Sequence, residues 1–138
     1  MFRAKETAEI LGKELGCKVE IITGIRERNF YGMLTGMKRP EAKKKYPGQV
    51  GLLKDVHNTI KGGETYSHFK ERVSKALTGI LSQKHGNVAI VTHGGPIRCI
   101  LREMVGAGEL KRLDDCAVIE IEKAGNGLAL GKMYKASL

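Results

Sequence analysis

Asn87-Val88-Ala89-Ile90-Val91-Thr92 is a compact β-rich run, followed at once by His93-Gly94-Gly95-Pro96 and the run Ile97-Arg98-Cys99-Ile100-Leu101-Arg102-Glu103-Met104-Val105. The order predicts a buried parallel strand, a tight turn and a helix. In an α/β sheet, ligands collect outside the carboxyl ends of the strands, where a helix start points its free N–H groups at an anion. His93 stands at that end. Gly94 and Gly95 carry no side chain to obstruct a ligand, and Pro96 at the first helical position loses no needed donor. The segment therefore offers an imidazole beside an anion-accepting turn, although taken alone His93 could equally well cap the strand and the glycines simply make the turn.

Working outward, Ala4, Ala8, Leu11 and Leu15 recur every three or four residues, and Gly16 follows where a left-handed stop belongs, which predicts a helix over 4–15. Cys17-Lys18-Val19-Glu20-Ile21-Ile22-Thr23 alternates in strand fashion until Gly24. Residues 24–65 are rich in Gly and Pro and predict loop, with one short helix after Pro40. Phe69, Val73, Ala76, Leu77, Ile80 and Leu81 form one apolar stripe, so a helix is expected from Tyr66 to about Lys84, capped by Thr65 or Ser67. Cys116–Glu122 and Leu128–Tyr134 flank Lys123-Ala124-Gly125-Asn126-Gly127, a hairpin signal. Alternating helices and strands closed by a hairpin imply a layered α/β sheet of mixed direction.

At 138 residues the chain is expected to form a single domain, 1–138, around one core. Hydrophobic residues at 41% and charged residues at 28% are the balance of a folded protein. No stretch approaches the roughly 18 apolar residues of a membrane span, and no apolar signal core follows the first residues, so a cytoplasmic protein without membrane contact is expected. Cys17, Cys99 and Cys116 show no paired spacing and predict neither a disulfide framework nor a zinc cluster. The excess of 24 Lys and Arg over 15 Asp and Glu has the sign expected for a phosphate-bearing partner. Aromatic residues at 5% and the absence of Trp argue against single-stranded nucleic acid. The densest cluster, Lys38-Arg39-Pro40-Glu41-Ala42-Lys43-Lys44-Lys45, also reads as a solvated lysine face.

Three separated segments match one family. Phe2-Arg3-Ala4-Lys5-Glu6-Thr7-Ala8, the loop Arg26-Glu27-Arg28-Asn29-Phe30-Tyr31-Gly32 with the later Gly63-Glu64-Thr65, and Val91-Thr92-His93-Gly94-Gly95 with Ile97-Arg98 together resemble the histidine phosphatase superfamily, the fold of cofactor-dependent phosphoglycerate mutase. The resemblance implies a three-layer α/β/α fold with a mixed sheet, truncated at its N-terminus. It also implies that Arg3 grips the transferred phosphoryl group and that Glu27 carries the proton to and from the substrate oxygen. By the same resemblance His93 stabilises the phosphoryl charge, with the Gly94 N–H as a further donor. Phosphoryl transfer needs such cations and oriented donors around three equatorial oxygens. The loop after Glu27 is one residue longer than the family's usual spacing.

One departure is larger. The family's first strand carries Arg-His-Gly, whose histidine is the nucleophile, and this chain has no such tripeptide. The resemblance would put that strand, the helix behind it and most of the second strand ahead of Met1. His57, His68 and His85 fall at no strand's carboxyl end. The expectation is a phosphatase- or mutase-type protein acting on a small phosphorylated metabolite. It would be a fragment or split half with little activity alone, completed by a separate polypeptide bearing Arg-His-Gly or by another copy in a homo-oligomer. No cofactor or metal is expected. A non-catalytic phosphate-binding relative, or a basic nucleic-acid or protein interaction module, is the competing reading.

Overall fold

Helix α1 spans Phe2–Leu15 in the computed structural model, which describes residues 2–83 and 85–138. It ends as the sequence predicts. Gly16 adopts φ +64°, its N–H donates to the Lys13 carbonyl at 3.4 Å, and the Cys17 N–H donates to the Gly12 carbonyl at 2.9 Å. These are the two bonds of a Schellman stop. Only Gly12 of this helix is buried, and a Cβ there would lie 2.6 Å from Val19 Cγ2. The chain can therefore turn back tightly over the helix it has just left.

The strands predicted at Cys17–Thr23 and Asn87–Thr92 are corrected by the structure. Residues 17–22 and 87–92 run without a β-ladder, and the first run closes in a 3-10 turn at Thr23–Ile25. The cause is non-local. Alternating β-branched residues favour an extended backbone, but a strand also needs a neighbour for its N–H and C=O groups. Among the described residues the sheet that forms is a two-stranded antiparallel one. Several of the apolar side chains suited to a covered sheet are consequently in water, with Val19 42%, Ile21 65% and Val88 48% exposed, while Ile22, Ile90 and Val91 are half-buried. Helix and sheet still mix as the α/β class requires, and the architecture is compatible with a phosphoglycerate mutase-like fold.

The chain divides into two compact units, one comprising Met1–Glu27 and Val73–Leu138, the other Arg28–Arg72. In the first, α5 at Gly94–Ile100 continues through a π-helical turn, Leu101–Val105, and stops at Gly106. Cys99, Ile100 and Leu101 are buried there, as are Val73, Leu77 and Ile80. Strands β1, Arg112–Ala124, and β2, Gly127–Ser137, form the hairpin. Its loop is Gly125-Asn126 with Gly125 at φ +56°, the position where a type II′ turn wants glycine. Register shifts between Leu113 and Val118 accompany Cys116 at φ +58° and Lys135 at φ +54°, so the ladder is bulged as well as long.

In the second unit, α2 at Arg39–Lys45 and α3 at Pro47–Leu52 each begin with a proline in the first turn. The helix after Pro40 was legible. The one from Pro47 was not, because Gly48 and Gly51 are poor helix formers and dilute its pattern. Leu34, Ala42 and Ile60 are buried, with Met33, Met37, Tyr46, Val50, Leu52 and Leu53 packed around them. The Arg28 guanidinium donates to the carbonyls of Glu64 and Asn58, both at 3.0 Å, and to that of Val56. The Glu64 carboxylate takes a two-pronged grip from Arg72 at 2.6 and 2.7 Å. Helix α4, Tyr66–Ser82, starts in this unit, where Thr65 Oγ1 accepts the His68 N–H at 3.2 Å, the N-cap role expected of it. The predicted end at Lys84 lies outside the described residues.

The Arg72–Glu64 pair is nearly buried, its side chains 11% and 8% exposed. Arg72→Ala should therefore lower the unfolding free energy by about 3 kcal/mol in a urea titration. A loss below about 1 kcal/mol, the range of a surface pair, would show that the contact is incidental.

Candidate active site

Three segments of the first unit meet around His93. The imidazole is at the N-cap of α5, with extended backbone at φ −125° and ψ 168°, and is only 8% exposed. The Ile97 N–H donates to the His93 carbonyl at 3.2 Å, which starts the helix. From α1, Arg3 Nη2 approaches His93 Nδ1 at 3.5 Å, and the first turn of α1 is tied by Thr7 Oγ1 donating to the Arg3 carbonyl at 2.9 Å. From the third segment, Glu27 Oε2 accepts the Gly95 N–H at 3.2 Å.

A residue that sequence reasoning missed holds two of these segments together. Thr92 Oγ1 donates to the Ile25 carbonyl at 2.6 Å, tying the run that delivers His93 to the loop that delivers Glu27. A threonine at the end of a β-branched run carries no signal for such a bond, because its acceptor lies 67 residues away in sequence. Gly94 is the first residue of α5, so its N–H is one of those a helix start leaves without an intrahelical acceptor.

Burial pushes the His93 pKa down from its ordinary value, Glu27 opposes the shift by its negative charge, and Arg3 reinforces it. The guanidinium has no acceptor to offer, so contact with Arg3 favours a bare Nδ1. The neutral imidazole then keeps its proton on Nε2 and presents a donor on that side.

The other histidines have partners of their own. His57 is exposed and paired with Asp55 at 3.1 Å, His68 is exposed 3.7 Å from Glu64, and exposed His85 contacts Gln83 at 2.7 Å. Among the described residues no helix is long and apolar enough to cross a membrane.

Residues 1–135 match the family model of the histidine phosphatase superfamily, branch 1. The chain belongs to that superfamily. It is also 30% identical, over 121 residues, to a protein of Arabidopsis thaliana named metal-independent phosphoserine phosphatase. That similarity covers 84% of this chain and 50% of the relative, so the chain spans about half the length of the curated superfamily member it matches.

The depressed His93 pKa fixes a sign for the pH dependence. The unfolded chain takes up a proton near pH 6.5 before the native chain does. Stability from this group is therefore complete above that pH and declines as pH falls through it toward the native pKa. Urea unfolding between about pH 5 and 8 should show this slope in the wild type and a flatter one in His93→Gln. Equal slopes would assign the titration to another group.

Proposed function

We propose that this chain supplies the phosphate-binding and proton-handling portion of a metal-independent phosphomonoesterase acting on a small phosphorylated metabolite, with phosphoserine the first substrate to test. The convergence of a guanidinium, an imidazole and a carboxylate from three separate segments around His93 carries this reading. Arg3 neutralises the phosphoryl charge. His93 donates from Nε2 to a phosphoryl oxygen, and the Gly94 N–H adds a second donor. Glu27 carries the proton to the leaving ester oxygen. The name of the Arabidopsis relative favours phosphatase over mutase chemistry.

His93 is a poor candidate for the nucleophile, because its Nδ1 lone pair faces Arg3 and its other nitrogen holds the proton. His57, His68 and His85 are engaged with other side chains at exposed positions. Covalent catalysis splits a hard phosphoryl transfer into two easier ones, and this reading assigns the nucleophile to none of these four histidines. We infer that an Arg-His-Gly strand, supplied in cis or in trans, provides it. It would pair with the unladdered runs 17–22 and 87–92, whose exposed Val19, Ile21 and Val88 offer the apolar contacts an added strand needs. A second copy of this chain is the competing occupant, and the exposed thiols of Cys17 and Cys116 suit a reducing cytoplasm.

The test is hydrolysis of p-nitrophenyl phosphate and phosphoserine by the purified chain, alone and with a polypeptide supplying the Arg-His-Gly strand. Negligible turnover alone and measurable turnover in the mixture are expected, with His93→Ala lowering kcat of the mixture by about 10²-fold. Robust turnover by the chain alone, abolished by His93→Ala, would overturn the assignment of roles and make His93 the nucleophile.

A further inference from the structure

Gly94 and Gly95 look equivalent in the sequence, but their surroundings differ. A Cβ on Gly94 would meet Leu113 Cδ2 at 3.5 Å, an ordinary contact. A Cβ on Gly95 would lie 2.0 Å from Glu27 Oε1 and 3.0 Å from Glu27 Cδ, inside the space the carboxylate occupies. The same glycine donates its N–H to Glu27 Oε2 at 3.2 Å. Neither backbone requires glycine, since both residues lie within α5 and neither is among the positive-φ positions. Helix formation would be better served by alanine. What glycine supplies at position 95 is room.

We propose that Gly95 is a positioning residue for Glu27: its N–H draws the carboxylate in, and its missing side chain leaves the seat that holds the carboxylate beside His93. The proposal rests on the proton-handling role assigned to Glu27 and adds to it the residue that sets where the proton is delivered. A side chain at 95 displaces the carboxylate from the imidazole and leaves the backbone path of α5 intact.

The charge of Glu27 on His93 provides a readout that needs no turnover. Glu27 raises the His93 pKa, opposing burial and Arg3, so the imidazole reports where the carboxylate is. The experiment is an NMR titration of the His93 ring in the full chain for the wild type, Gly95→Ala, Gly95→Ser, Glu27→Gln and, as a control, Gly79→Ala. Among the described residues, nothing outside its own helical backbone lies within 4 Å of a Cβ at Gly79. Gly95→Ala should move the His93 pKa downward, in the same direction as Glu27→Gln. Its thermal unfolding should be no worse than that of the wild type, and Gly79→Ala should leave the titration in place. Gly95→Ser carries the same Cβ and stands in if the alanine variant does not fold. An unchanged His93 titration in Gly95→Ala and Gly95→Ser, with Glu27→Gln still shifting it, would overturn the positioning role and leave the proposed function standing. No shift in either Gly95→Ala or Glu27→Gln would remove Glu27 from the neighbourhood of His93 and defeat both.

Discussion

A buried imidazole needs company for its polar edge, because a ring nitrogen out of water and out of reach of a partner costs on the order of 1–3 kcal/mol. At His93 that requirement binds together parts of the chain that are far apart. Arg3 comes from 90 residues upstream. Glu27 comes from a loop whose approach is secured by the Thr92 bond to Ile25 and by the Gly95 N–H. The start of α1, the loop at 25–27 and the start of α5 converge there. Under the proposed function the charges around the ring would also serve a phosphoryl group, so one arrangement would meet both demands.

The second unit is organised by a different device. Arg28 is 6% exposed and spends its donors on three carbonyls of its own unit, while Glu64 is held by Arg72. Its guanidinium also lies over the rings of Phe30 and Tyr66, at 4.9 and 5.5 Å, adding cation–π attraction to the hydrogen bonds. A short, glycine-rich stretch with a small apolar cluster gains definition from such a network, in which each buried charge has named partners. The positive excess of the whole chain is largely a property of this unit. Residues 28–72 hold ten Lys and Arg against four Asp and Glu, and the contact between Lys45 and Glu41 is an exposed i,i+4 pair of modest strength.

The runs 17–22 and 87–92 mark where local preference and tertiary opportunity part. Their alternating β-branched residues hold the backbone extended, and their apolar side chains are suited to a covered sheet. Extended conformation without ladder bonds leaves the backbone groups to water and to whatever strand comes alongside. The hairpin β1–β2 shows the opposite case. Its two strands are neighbours in sequence, joined by two residues, and each therefore brings its own partner.

The reach of the sequence followed the range of the interactions involved. The stop of α1 at Gly16, the Thr65 cap of α4, the turn at Gly125 and the helix after Pro40 are settled within a few residues, and all were legible from spacing and residue type. The helix from Pro47 was obscured locally by Gly48 and Gly51. Family membership was legible too, from three motifs, and so were the residue types Arg3, Glu27 and His93 as candidates. Their meeting around one phosphoryl group was implied by the resemblance, but the contacts that make it were not. That Arg3 faces Nδ1 of His93, that Thr92 anchors the Glu27 loop, and that Gly95 rather than Gly94 makes room for a carboxylate depend on contacts across 67 to 90 positions. So does the failure of 17–22 and 87–92 to form a sheet. The sequence by itself determined which segments are helical or extended, because those preferences are local. Only the tertiary structure decided which segments pair and which side chains share a charge, because both depend on atoms that the chain brings together through space.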